Sequence, residues 1–178
     1  MAHIALERAS SFVTLDAAGE ATDTETLVIG GKTYTFLATV GENDGAIHIG
    51  AAVEDTADNL IAAINLDPSA GETGVEGTDY GINMTVNPLV FAEYIDRDDG
   101  IIGLYSKVPG AIGNLIAVAN GTASLTVDNA TLENGDGDVG AFFDDLFARN
   151  QINSELVQAL SQFSVVEGGP SDGTLGEA

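Results

Sequence analysis

Asn134, Asp136 and Asp138 set oxygen donors at alternate positions of a glycine-rich stretch, the spacing by which a tight loop surrounds a hard cation such as Ca2+, and Asp145 follows near where such a loop closes. The likeness then breaks down. The glycine expected after the third ligand is displaced to Gly140, a closing Glu is missing, and no helix is predicted ahead of the stretch. Asp96, Asp98 and Asp99 lack even that register, so both places read as solvated turns, and neither a metal nor another cofactor is expected.

Nucleophilic chemistry has less to work with. His3 and His48 are the only histidines, and neither lies in a Ser-His-Asp or metal-binding pattern. His48, between Ile47 and Ile49, is expected to face solvent from a strand. The chain has no cysteine, which removes disulfides, zinc thiolates and thiol nucleophiles. Gly30-Gly31 is not a phosphate loop, because neither glycine-rich nucleotide signature occurs around it. Carboxylate pairs for glycoside cleavage are available in number, so a small carbohydrate-binding or hydrolytic domain stays open as a third reading. Tryptophan is absent and aromatics make up only 6% of the chain, which leaves little platform for stacking a sugar. No catalytic residue is assigned, and a non-enzymatic chain is expected.

With 178 residues and 44% hydrophobic content, the chain is long and apolar enough to bury a core in one domain, or in one domain with an appendage. Five Lys and Arg stand against 28 Asp and Glu, a net charge of −23. Such a surface repels nucleic acid and anionic membranes, so neither is an expected partner. The same charge keeps a protein soluble and apart from its copies before assembly, and alternatively suits a basic acceptor surface. Met1 to Arg8 lacks the basic start and apolar run of a signal peptide, and no segment is long enough to span a bilayer, so a protein made and assembled in the cytoplasm is expected.

The elements that position these groups begin with Ser10 to Leu15, a short strand, and a polar loop from Asp16 to Thr24. Leu27 and Ile29 alternate toward one face, Tyr34 and Phe36 answer them, and Gly30 with Gly31 supplies the positive φ of a tight hairpin. A turn at Gly41 to Gly45 leads to a brief extended piece at Ile47-His48-Ile49. Ala57, Leu60, Ile61 and Ile64 fall at i, i+3, i+4 and i+7, one helical stripe with Asp55 or Thr56 as N-cap and with Asn65 and Pro68 as its stop. Ser69 to Tyr80 reads as loop, and Ile82, Met84 and Val86 alternate as in a strand. Val90 to Ile95 and Ile101 to Tyr105 form a second predicted hairpin, and Leu115 to Ala119 with Ser124 to Val127 a third around Asn120-Gly121. The economical arrangement is α+β: a small antiparallel sheet with one amphipathic helix packed across it.

Three of these pieces occur in a telling order. They are Ile29-Gly30-Gly31-Lys32-Thr33-Tyr34-Thr35-Phe36, then Ile49-Gly50-Ala51-Ala52 leading into Asn59-Leu60-Ile61-Ala62-Ala63-Ile64-Asn65, then Leu104-Tyr105-Ser106-Lys107-Val108-Pro109-Gly110-Ala111-Ile112-Gly113-Asn114. The chain from Leu27 to about Val127 thereby resembles a β-hairpin and helix module of virion structural proteins of tailed bacteriophages. The resemblance implies a building block of a virus particle located in the virion, with no active site. The expected role is a capsid decoration (cement) protein that binds and stabilises the assembled head, the alternative being a tail, fibre-base or adaptor protein. Expected partners are the major capsid protein or other virion proteins, together with copies of the chain itself, a trimer being the form implied for a decoration protein.

The organisation expected is an N-terminal arm over residues 1–24, the module over 25–133, a helical segment over 134–166 and a flexible acidic tail over 167–178. Asn134 to Asp138 reads as a flexible acidic linker. Beyond it, Phe142, Phe143, Leu146 and Phe147 share one side of a helix, and Ser154 caps a second that carries Leu156, Val157, Leu160 and Phe163. A short helical pair so rich in aromatics must bury itself, either on its own sheet or on a neighbour. Phe142, Phe143, Leu146, Phe147 and Phe163 are therefore the candidate subunit contacts.

Overall fold

The computed structural model describes residues 7–15, 23–66, 74–121 and 124–137, all within one compact unit, Met1–Val139. The expected C-terminal helical pair, with Phe142, Phe143, Leu146, Phe147 and Phe163, lies outside the described residues, as does the tail.

The alternation in Ser10–Leu15 makes β1, which points Ser11, Val13 and Leu15 inward and Phe12 outward. Thr26–Ile29 (β2) and Lys32–Leu37 (β3) form the expected hairpin, with Leu27 opposite Tyr34 and Ile29 opposite Lys32. Gly30 at φ 59° and Gly31 at φ 86° both occupy the left-handed region that a two-residue turn of this kind requires. Ala46–His48 is β4, Val53–Asn65 is α1, and Val90–Asp96 (β5) with Ile101–Ser106 (β6) is the second expected hairpin. A 3-10 turn at Ala111–Leu115 precedes Val118–Asn120 (β7) and Leu125–Val127 (β8).

The fold is α+β, but the single antiparallel sheet must be corrected to two sheets of four strands, ordered β5-β6-β1-β8 and β4-β3-β2-β7. The inward apolar side chains of β1, β5 and β6 and those of β2 and β3 are too many for one helix to cover, so the two sheets cover each other in one core. β4 runs parallel to β3, against the antiparallel expectation, because residues 38–45 return along β3 and Gly45 turns the chain at φ 84°. The third predicted hairpin is also corrected. β7 pairs with β2 and β8 with β1, and the Gly121 N–H donates to Thr26 O at 2.8 Å, so the chain changes sheets between them. β1 is an inner strand, flanked by β6 and β8.

α1 does not lie across a sheet face. It fits between β4 of one sheet and β5 and β6 of the other, and this buries Asn59, Ala62 and Ala63 as well as the predicted stripe of Ala57, Leu60, Ile61 and Ile64. Its start is earlier than expected. Ala52 is the N-cap without a side-chain bond, while Thr56 Oγ1 accepts the Gly50 N–H at 2.9 Å from inside the first turn. A Cβ on Gly50 would sit 2.3 Å from Asp55 Cβ, so only glycine lets the chain enter the helix this closely. Leu66 ends α1 in the left-handed conformation, φ 44°.

On the other side, residues 130–133 join the layers. The Val118 N–H donates to Ala130 O and the Leu132 N–H to Ile116 O, both at 2.9 Å, after which Glu133 and Ser10 exchange both backbone bonds at 2.8 Å. The predicted acidic linker is corrected at its described residues. Gly135 pairs with the Asn114 side chain and Asp136 O accepts the Glu7 N–H at 3.1 Å, so the backbone of this stretch is tied to the fold.

Candidate functional site

The segment Lys107 to Asn114 is tied at both ends to distant parts of the fold. Lys107 Nζ donates to Asn87 O at 2.5 Å. Asn114 pairs with Gly135 as one peptide pairs with another: Nδ2 donates to its carbonyl at 3.1 Å and Oδ1 accepts its N–H at 2.9 Å. Gly110 adopts φ 94°, and a Cβ on Gly113 would lie 2.6 Å from Ser106 Oγ. Ser106 Oγ itself accepts the Ala9 N–H at 3.2 Å and donates to Val108 O at 2.8 Å, a bond pattern that holds backbone and offers no base. The groups with chemical potential in this motif are therefore joints.

Asn87, which sequence reading passed over, ties the same region to the core. Its Nδ2 donates to the Tyr34 hydroxyl at 3.2 Å and to Ile29 O at 3.4 Å, and its Oδ1 accepts the N–H groups of Leu89 at 2.9 Å and Val90 at 3.1 Å. Its own N–H donates to Ile64 O at 3.0 Å, so the end of α1, the hairpin and the start of β5 meet at one fully buried side chain. Burial pushes the Tyr34 phenol up to about 12, against a smaller lowering by the Asn87 bond. The only sequence signal was an Asn before Pro88 between two extended stretches.

Lys32, Asp44 and Thr85 form a polar cluster beside the β2–β3 turn. Lys32 Nζ lies 2.7 Å from Asp44 Oδ1 and 2.9 Å from Thr85 Oγ1, and Asp44 accepts the Thr85 N–H at 3.0 Å and its hydroxyl at 2.8 Å. Burial alone would raise the Asp44 carboxyl, but the bonds from Lys32 and Thr85 outweigh it and hold the group below the usual range. These bonds latch the β2–β3 turn to the loop that carries Thr85. They also explain why the alternating Ile82, Met84 and Val86 form no strand: the Thr85 N–H is spent on Asp44, and Ile82 and Val86 are exposed.

The remaining predicted positions are separate from one another. Gly30 and Gly31 sit at the β2–β3 turn, while His48, half-buried at the end of β4, accepts Asn59 Nδ2 at its carbonyl, 2.9 Å. Asp96 Oδ1 accepts the N–H groups of Asp98 at 3.2 Å and Asp99 at 3.3 Å, an ordinary Asx turn. Asn134 and Asp136 lie on the tied stretch, and Asp138 and Asp145 fall outside the described residues. Among the described residues no three His, Asp or Glu side chains gather as ligands, and no helix is long and apolar enough to cross a membrane.

Charge is distributed unevenly. Arg8 donates to Ser106 O at 2.7 Å with its guanidinium over the Phe91 ring, Arg97 pairs with Asp58 at 2.6 Å, Lys32 with Asp44, and Lys107 holds Asn87. All four described cations are thus committed within the fold. The outward field is that of carboxylates. By contrast, residues 80–92 and 100–127 contain no Asp or Glu at all. A search of protein-family models and of curated proteins finds no match for the chain.

Proposed function

We propose that this protein is a structural component of a tailed-bacteriophage particle, a capsid decoration protein that binds and stabilises the assembled head. The observation that carries the reading is the fate of the motif residues. Lys107, Asn114, Gly50, Gly110 and Gly113 are each used to close the backbone on itself, as a rigid building block would use them. The commitment of every described cation supports the same reading, because it leaves a surface suited to a basic or mixed protein acceptor and unsuited to nucleic acid.

Purified particles separated on a stained gel and measured by densitometry test this. A decoration protein is present in a number comparable to the major shell subunit. A handful of copies per particle would move the assignment to the tail, and absence from particles would overturn it.

A further inference from the structure

The tight β2–β3 turn is approached by aliphatic side chains, of which Leu89 lies outside the core and Ile116 packs against its edge. A Cβ on Gly30 would lie 2.6 Å from Leu89 Cδ1 and 3.5 Å from Ile116 Cγ2, so these two residues close on the turn from either side. The Lys107 N–H donates to Leu89 O at 2.8 Å, which sets Val108 beside Leu89. The Ile116 N–H donates to Gly113 O at 3.1 Å and closes the 3-10 turn that presents Ile112 and Leu115. Leu89 is 40% exposed, Val108 51%, Ile112 56% and Leu115 80%. Their exposed surface sums to a few hundred Å², about the size of the largest apolar patch on a typical monomer, which is often functional.

This patch is built from the two stretches of the chain that carry no carboxylate. Glu7 and Asp136 approach it along one margin, through the backbone bonds of Gly110 to Glu7 and of Ala111 to Gly137, and Asp44 stands near the β2–β3 turn with its charge paired to Lys32. We infer that this end of the fold is a self-association surface, its occupant the same patch on a second copy of this chain. The argument is electrostatic. At −23, two copies repel wherever their carboxylates meet, and an acid-free face is where they can touch without bringing like charges together. A two-fold contact of a patch with itself also needs no charge complement, whereas a basic partner would gain nothing here and would be drawn to the acidic faces instead. The inference concerns the isolated protein and stands apart from its place in any particle.

Salt gives the two modes opposite signs. Screening relieves repulsion between copies and strengthens an apolar self-contact, while it weakens docking that relies on charge attraction. Sedimentation velocity of the full chain over about 5 to 500 μM, at about 20 and 500 mM NaCl, should show a reversible oligomer favoured by salt. The double variant Ile112→Ser/Leu115→Ser should weaken it at least about tenfold, since a few central side chains carry most of a contact. Both side chains stand in solvent, so the variant should keep its circular dichroism and melting temperature. Val75→Ser, exposed to 56% on a different loop, serves as the control and should change nothing. A monomer at every concentration and salt, an oligomer that salt dissolves, or an oligomer indifferent to the double variant would each overturn the inference, the last pointing to residues 140–178.

Discussion

The side chain of Asn65, the last residue of α1, pairs with the backbone of Ala92 as a neighbouring strand would: Nδ2 donates to the carbonyl at 2.7 Å and Oδ1 accepts the N–H at 2.9 Å. One residue thereby fastens the end of the helix to β5 and occupies part of the outer edge of that sheet. Asn65→Ala should cost about 1–3 kcal/mol, because it leaves both groups of Ala92 without a protein partner. Urea unfolding would measure the loss. Amide exchange should quicken in β5 before the β2–β3 hairpin.

Alkaline titration reports the burial of the Tyr34 phenol. The Tyr34 phenol is pushed from 10.0 up to about 12 in the fold, first by burial, so the native state holds its proton more tightly than the unfolded chain. That contribution is fully present below pH 10 and is lost as pH rises through 12, a loss of roughly 3 kcal/mol. Burial raises Tyr80 and Tyr105 in the same direction, so Tyr34→Phe should flatten the slope of stability between pH 10 and 12 without abolishing it. Unfolding midpoints at stepped pH check this.

Ser11 points into the core from β1, and its hydroxyl is buried without a hydrogen-bond partner. Removing an unsatisfied group of this kind should stabilise, so Ser11→Ala is expected to gain up to about 1 kcal/mol and to raise the melting temperature. A loss of stability would mean that the hydroxyl is held by a bridging water.

The two glycines of the hairpin turn are not equivalent. Gly31 has open space where a Cβ would go, so Gly31→Ala should cost only the left-handed backbone, about 1 kcal/mol. Gly30→Ala meets Leu89 Cδ1 at 2.6 Å and should cost more. Replacing both by Val should endanger the strand register itself. Thermal melts of the three variants would rank them.

The sequence was most readable where structure is local. The Gly-Gly turn between alternating apolar residues fixed the β2–β3 register, and the stripe from Ala57 to Ile64 marked α1, because both depend on neighbours a few residues apart. Sheet membership was not readable. β7 and β8 look like two halves of a hairpin around Asn120-Gly121, yet each finds a better-placed partner far along the chain. The three asparagine joints were hidden for the same reason: Asn65 reaches across 27 positions to Ala92, Asn87 across 53 to Tyr34, and Asn114 across 21 to Gly135. Acidity was plain from composition, but the commitment of Arg8, Lys32, Arg97 and Lys107 to internal bonds depends on distances that no spacing encodes.

The borders of the two sheets decide how this chain behaves when crowded. β5 is fastened by Asn65, β4 by the Asp79 carbonyl and the Gly81 N–H, and β7 by residues 130–132, while β8 ends the remaining border after three residues. Among the described residues, little strand backbone is left to template the growth of a foreign strand, the step by which concentrated β-proteins turn into fibrils. Copies packed at high density therefore meet through side chains, and contacts of that kind come apart on dilution. Concentrated stocks should redissolve after precipitation and give no thioflavin T signal.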